Sequence, residues 1–231
     1  IVWGFVHPMS YVLLLLLVFS IGLRSNPAGK DVPFVVYLIS GMIPWQFFSS
    51  TLTSLTKVVS KHSYLVKKGA LSLAILHVAK ILSSLVTHVV LIAICFVVCW
   101  FYGFHPELHS LQIFYYMAAM CLLLLGLGWI TSSTSMFIED VSSIITIFVQ
   151  FGFWFTPIIW NISRIPQKYQ WIAKLNPACY IISGYRDSLI YGTPIYVKPR
   201  ETLYFWALTA IALLAGAVIF RRLKPHFGEV I

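Results

Sequence analysis

The titratable side chains within the apolar part of this chain are too few and too isolated for catalysis. His77 and His88 are eleven residues apart, a spacing that places both on one face of a helix, and Lys80 follows His77 closely. A proton relay needs titratable groups inside a membrane span. No Asp or Glu falls within any of the long apolar runs, so the sequence does not favour proton-coupled chemistry.

Signatures of enzymes and ion channels are also missing from the sequence. There is no GxxxxGK[ST] phosphate-binding loop, so we do not expect this chain to hydrolyse ATP. Nucleophile-elbow, HExxH and selectivity-filter motifs are absent as well. The cysteines fit no zinc or redox spacing and are interpreted as small core residues: Cys95, Cys99, Cys121 and Cys179. We expect no catalytic residue, metal site or cofactor in this chain.

With catalytic and channel motifs absent, the side chains that could contact a substrate are aromatic rings. Aromatic faces stack on sugar rings, on lipid and on one another. A membrane aromatic belt is therefore as good an interpretation of these rings as the lining of a pathway. The rings that could face a pathway are Tyr11, Trp45, Phe148, Phe151, Trp154 and Phe155.

The elements that must position these rings are membrane helices. Of 231 residues, 59% are hydrophobic and 10% are charged, against ~25% charged in a soluble domain. The apolar runs are continuous rather than alternating, which indicates helices and not a barrel. With no linker or repeat, we predict one all-α integral membrane domain over residues 1–231. Its six spans are predicted at 2–23, 33–56, 81–102, 111–137, 141–160 and 202–220.

The segment 151–187 departs from a simple span. Its helical pattern breaks at Thr156-Pro157, reaches the surface at Arg164, and is followed by an apolar run of only 11 residues at 175–185. A helix needs ~20 apolar residues to cross a bilayer, so we predict a re-entrant segment. Arg186 and Asp187 follow, and they could pair with each other, pair with a partner subunit, or form a surface turn.

The loop after the second span is basic and amphipathic. Its apolar side chains could bind in a partner's groove or at an anionic lipid surface, while its lysines stay in water. An ordinary positively charged loop is the alternative. The residues concerned are Val59, Lys61, Tyr64, Leu65, Lys67 and Lys68.

The distribution of Lys and Arg between the loops gives a weak indication of how the chain is oriented in the membrane. Sixteen Lys and Arg against seven acids give a net charge of +9, which we assign to loops facing lipid headgroups and partners. The two sides carry equal numbers of basic residues, but loop two and the tail at 221–224 carry them at higher density. We therefore place these two segments in the cytoplasm. We also expect Asp140 to cap the fifth span, and further residues upstream of Ile1.

Several motifs, in their order and spacing, resemble the membrane subunit of polysaccharide-exporting ABC transporters, a family that includes O-antigen, capsular and teichoic-acid exporters. They are Val6-His-Pro-Met, Gly41-Met-Ile-Pro-Trp-Gln-Phe-Phe-Ser-Ser, Leu65-Val-Lys-Lys, Phe137-Ile-Glu-Asp-Val, Phe155-Thr-Pro-Ile-Ile, Leu175-Asn-Pro, Gly184-Tyr-Arg-Asp and Phe220-Arg-Arg-Leu-Lys-Pro-His-Phe. Two positions depart from the family pattern. Gly69-Ala-Leu-Ser replaces an aromatic-Pro-acid stretch, and Glu139 stands where Arg is frequent.

The resemblance implies a homodimeric channel in the bacterial inner membrane, with both termini cytoplasmic. Two ATP-binding cassette subunits would bind ATP and Mg, and loop two would be the coupling helix that contacts them. The substrate would be an O-antigen-like polysaccharide on undecaprenyl diphosphate, as in lipopolysaccharide biosynthesis. A cytoplasmic amphipathic helix would precede the first span.

The resemblance places the re-entrant segment on the external side, where we expect a gate formed by Pro157, Asn176, Pro177, Tyr180, Tyr185 and Arg186. Six helices leave little room for a hydrated sugar chain, so a seam between two copies, lined by spans one and five, is the expected path. Competing functions are an ABC exporter of a small hydrophobic drug or haem, an ion-coupled transporter or channel, and a membrane scaffold.

Overall fold

The chain is helical throughout the part that the computed structural model describes, residues 32–64 and 73–230 with a few isolated positions before 32, and these ranges contain no strand. Most of the predicted span at 2–23 lies outside the described residues, as do Tyr11, Leu65, Lys67 and Lys68. Six helices of ten or more residues are named here in chain order: α1 Phe34–Thr56, α2 Leu73–Phe101, α3 Gln112–Ser135, α4 Asp140–Phe155, α5 Pro177–Arg186 and α6 Pro199–Leu223.

Four stretches within the described residues are long and apolar enough to cross a membrane: Phe34–Thr56, Leu73–Phe101, Leu108–Ser135 and Pro199–His226. The helix Asp140–Phe155 is apolar but shorter. The prediction of an all-α membrane protein is therefore supported, while the count of six spans stays a prediction.

Helix α3 is the centre of the bundle and contacts each of the other five helices. Its closest neighbour is α6, where a Cβ on Gly216 would lie 2.5 Å from the carbonyl oxygen of Gly126. Small residues allow helix backbones in a membrane to approach this closely. Helix α1 is the most enclosed of the four long helices. In its 18-residue apolar stretch 72% is buried, against 28% in the corresponding stretches of α2 and α6.

Two boundaries differ more than the others from the sequence-based prediction. Helix α2 begins at Leu73 rather than at 81, because Lys80 was taken as the end of the apolar run, whereas a lysine stem packs along a helix and carries its charge to the surface. Helix α4 ends at Phe155. Thr156 is extended (φ −86°, ψ 138°) because the α conformation is disfavoured before Pro157, so the predicted break is confirmed.

The predicted cap on the fifth span is wrong. Asp140 is the first residue of α4 rather than the residue before it, and the capping position, Glu139, makes no side-chain capping hydrogen bond. Asp140 still lies in the first helical turn, where a carboxylate interacts favourably with the helix dipole.

Candidate functional site

The chain after α4 leaves the helix with free carbonyl groups, and Arg186 binds them. Its Nη1 donates to the carbonyl of Pro157 at 2.6 Å, and its Nη2 donates to the carbonyl of Ile158 at 2.7 Å. A further Nη2 contact reaches the carbonyl of Tyr37 at 3.4 Å. Arg186 itself is only 5% exposed. Irregular backbone among membrane helices persists only where its polar groups find partners, and Arg186 supplies them here.

Helix α1 is shaped to receive this guanidinium. A Cβ on Gly41 would lie 2.6 Å from Arg186 Nη2, so a larger residue at that position would displace the guanidinium. Tyr37 places its ring against the guanidinium and donates its hydroxyl to the carbonyl of Trp160 at 2.9 Å. One buried arginine thus joins α1, the end of α4 and α5.

Of the alternatives for Arg186 and Asp187, an ion pair between these two residues is wrong. Asp187 instead forms an ion pair with Lys198, which lies just before α6. Burial raises the pKa of the Asp187 carboxyl, and the hydrogen bond and charge of Lys198 act in the opposite direction. Adjacent residues on a helix point in different directions, so the two charges serve separate contacts.

Helix α5 corresponds to the apolar run that was too short to cross. Asn176 caps it by accepting from the backbone N–H of Ala178 at 3.0 Å, and the same side chain donates to Thr156 Oγ1 at 2.8 Å. Pro177 occupies the first turn, where its missing N–H has no cost. The helix therefore starts from the break at the end of α4.

The two tyrosines of α5 contact the surrounding spans. The Tyr180 hydroxyl lies 3.2 Å from the Tyr115 hydroxyl and 3.0 Å from Thr202 Oγ1. The Tyr185 hydroxyl lies 2.7 Å from His88 Nε2. All six predicted gate residues thus belong to one connected group formed by the α4 break and α5.

Helix α4 presents its aromatic residues on an exposed face. Phe148 and Phe151 are each 63% exposed, Trp154 is 61% exposed and Phe155 is 73% exposed, whereas Phe153 is the one buried residue of this helix. Their spacing of three, four and seven residues forms a single stripe. The four predicted rings therefore share one surface, which is named the aromatic stripe below.

Trp45 does not belong to that exposed surface. It is buried, its ring centroid lies 6.3 Å from that of Phe153, and it fills the space left by Gly152, where a Cβ would be 2.9 Å from the indole. Its role is to pack α1 against α4. Trp45 is therefore separate from the exposed surface, and its assignment as a pathway ring stays a prediction.

A cleft of about 440 Å³ opens between α1 and α4 beside the aromatic stripe. Trp45, Phe151 and Trp154 line it together with the amides of Gln46 and Gln150, and neither amide has a hydrogen-bond partner among the described residues. Amide groups donate and accept hydrogen bonds, so the part of this cleft that the structure describes offers polar as well as apolar contacts. Sequence reasoning missed both glutamines because the search for spans considered charged residues alone.

The coupling segment predicted in loop two begins as a single helical turn, Val58–Lys61. Val59 is completely buried in the chain's own interior, so it is not available to a partner's groove as predicted. Lys61 and Tyr64 are exposed. Val59 therefore holds the turn in place, and its polar neighbours face outward.

The two histidines inside α2 join helices and do not form a relay. His77 Nε2 lies 2.7 Å from Ser132 Oγ on α3, and its Nδ1 lies 3.1 Å from the carbonyl of Leu73. His88 stacks on Phe47 at 4.4 Å between ring centroids and contacts Tyr185. The spacing of eleven residues did place both on the interior face of α2, which the structure confirms.

Comparison with known proteins supports one family. The family model of the ABC-2 type transporter matches residues 1–190. The O-antigen export system permease protein RfbA of Klebsiella pneumoniae is 25% identical over 230 residues, covering 99% of this chain and 86% of that protein. The Myxococcus xanthus protein of the same name is 22% identical over 231 residues, covering 99% of this chain and 86% of its own length.

A relative named for a different glycan shows similar coverage. The polysialic acid transport protein KpsM of Escherichia coli is 22% identical over 221 residues, which span 95% of this chain and 84% of that protein. Since the family model covers most of the sequence and the long apolar helices agree with a membrane component, this chain belongs to the ABC-2 type transporter family.

Proposed function

We propose that this chain is the channel-forming subunit of an ATP-driven exporter that moves lipid-linked polysaccharide across the bacterial inner membrane. The names of its relatives, which refer to O-antigen export and polysialic acid transport, support this assignment. Separate ATP-binding cassette subunits would bind ATP and Mg, since this sequence has no phosphate-binding loop. Both termini would be cytoplasmic.

The observation that carries the proposal is the cleft between α1 and α4. It combines the ring faces of Trp154 and Phe151 with the amides of Gln46 and Gln150. Aromatic faces stack on the apolar face of a sugar ring, while amides donate to and accept from its hydroxyls. Neither interaction needs a particular glycan sequence, as suits a polymer that slides through. A small hydrophobic drug would leave the two amides unpaired.

Two copies of the chain would form the path. In a single copy of the chain, the four large rings of the aromatic stripe on α4 are exposed. A seam between two copies, built from α4 and the predicted span at 2–23, would cover part of this surface and leave a wider opening than one bundle offers. The substrate would then pass along both stripes.

The two ends of the path would have different tasks. On the cytoplasmic side, the exposed Lys61 and Tyr64, with Leu65, Lys67 and Lys68, would contact the ATPase. On the external side, α5 and the α4 break held by Arg186 would form a gate. ATP binding would then favour one of two states of this gate through differential contacts at loop two.

A deletion strain tests the proposal in cells. Loss of this chain should abolish surface polysaccharide and cause the lipid-linked polymer to accumulate on the cytoplasmic face. The wild-type gene should restore export, whereas a gene in which both Gln46 and Gln150 are changed to Leu should restore it poorly. Normal surface polysaccharide in the deletion strain would contradict the proposal.

A further inference from the structure

The C-terminal tail and the loop-two turn contribute side chains to one apolar cluster. Phe227 is fully buried, although it lies beyond the last span. Its ring centroid is 6.0 Å from that of Phe137 and 6.0 Å from that of Phe220. The apolar cluster around it, named the cytoplasmic cluster here, is separate from the main core and consists of Val58, Val59, Leu73, Met136, Phe220 and Phe227.

Pro225 lies between the last span and Phe227. Helix α6 ends at Leu223, and a 3₁₀ turn that contains Pro225 separates it from the short helix Phe227–Val230. Proline removes a backbone donor and clashes with the preceding helical turn. Phe220 and Phe227 lie on either side of this turn, and their ring centroids are 6.0 Å apart. Phe227 is thus buried against the end of α6 and the rest of its cluster.

The loop-two turn is fixed on its other side by polar contacts. Ser135 Oγ donates to the carbonyl of Thr56 at 2.7 Å, and the Thr56 hydroxyl lies 3.0 Å from Thr131 Oγ1. These contacts attach the end of α1 to α3 immediately before Val58 and Val59 enter the cytoplasmic cluster. The turn is thus held by α3 upstream and by the cytoplasmic cluster downstream.

We propose that Phe227 is a positioning residue that braces the loop-two turn and couples it to α3 and α6. This inference rests on the proposed function, in which the ATPase pushes on that turn. Close-packed clusters do not deform continuously, so a displacement of the turn moves the ends of α3 and α6 with it. Without the Phe227 ring the turn shifts locally, and ATP hydrolysis is no longer fully converted into gate opening.

The test uses the complex of this chain with its ATPase subunit, reconstituted in lipid vesicles. The series Phe227→Leu, Phe227→Val and Phe227→Ala shrinks the ring stepwise. Gly228→Ala is the matched control, because Gly228 is exposed and a Cβ there meets nothing within 4 Å. The two readouts are polysaccharide exported per ATP hydrolysed and the thermal midpoint of the complex.

We expect the export ratio to fall in step with side-chain size, by about fivefold for Phe227→Ala, while ATP hydrolysis continues and Phe227→Leu retains most of the ratio. Gly228→Ala should match the wild type. A constant ratio across every variant that assembles, whether or not the midpoint falls, would overturn the brace. Failure of the proposed function would be distinguishable from failure of the Phe227 proposal, because the wild-type complex itself would then export no polysaccharide.

Discussion

Arg186 lies directly against Tyr37, with its guanidinium carbon 3.6 Å from the centroid of the phenol ring. The contact joins α5 to α1, and the same guanidinium holds the carbonyls of Pro157 and Ile158. A planar group with five donors can stack and bind several carbonyls at once. Helix α1 and the proposed external gate therefore separate only when Arg186 releases one of these contacts.

Arg186→Lys should destabilise this junction. An ammonium cannot stack flat on Tyr37 while binding two carbonyls, and each buried carbonyl left unpaired costs ~1–3 kcal/mol. We expect the thermal midpoint of the purified protein to fall by roughly 4–8 °C. Tyr37→Phe is the matched control, since it keeps the ring and loses only the hydroxyl contact to Trp160, so its effect should be smaller. A midpoint for Arg186→Lys equal to that of the wild type would contradict this role.

Gly184→Ala should disturb the packing of α5 against α3. A Cβ at Gly184 would overlap ring atoms of Tyr116, which is itself buried. Overpacking of this kind costs ~1–3 kcal/mol, measurable as a lower thermal midpoint. Tyr116→Leu removes the ring, so the double variant should recover part of the loss caused by Gly184→Ala. Effects of the two changes that simply add would show that Gly184 is not limited by Tyr116.

Sequence reasoning was most successful where hydropathy and proline chemistry decide local structure. The break at Thr156-Pro157 was predicted because the residue before proline avoids the α conformation, and the run at 175–185 was predicted as too short to cross. The structure has a break after Phe155 and a ten-residue helix at Pro177–Arg186. Whether this helix dips into the membrane from outside stays a prediction.

Partner choice could not be predicted, because it depends on which distant residues the fold brings together. The sequence places Arg186 beside Asp187, yet Arg186 binds carbonyls near residue 158 and Asp187 pairs with Lys198. Val59 was assigned to a partner's groove, because its burial depends on a cluster whose members include Phe227, almost 170 residues away in sequence. Neither contact leaves a local pattern.

Trp154→Ala should reduce polysaccharide export without affecting assembly. Loss of one stacking surface of ~1 kcal/mol corresponds to about a fivefold change, read as surface polysaccharide at equal protein level. Trp100→Ala is the matched control, because Trp100 is 57% exposed and lies on α2 rather than on the aromatic stripe. Equal export by the two variants would contradict the assignment of the aromatic stripe to the substrate path.

Cysteine labelling should reveal which side of the membrane α5 faces. Leu175→Cys, placed at a 48% exposed position before α5, should react with an impermeant thiol reagent added outside. Lys57→Cys, in the exposed part of loop two, should react only when the reagent reaches the cytoplasm. The native Cys95, Cys99 and Cys179 are buried and should contribute little background. Labelling in the opposite pattern would reverse the topology.

Reconstitution of the purified chain with its ATP-binding subunit in lipid vesicles measures the proposed transport itself. Lipid-linked polysaccharide should cross the vesicle membrane when ATP and Mg are supplied, and transport should stop when either subunit or ATP is omitted. The paired change of Gln46 and Gln150 to Leu should slow the movement of the polymer. ATP-dependent movement of a small hydrophobic compound, with no movement of polysaccharide, would contradict the assignment of this chain as a polysaccharide exporter.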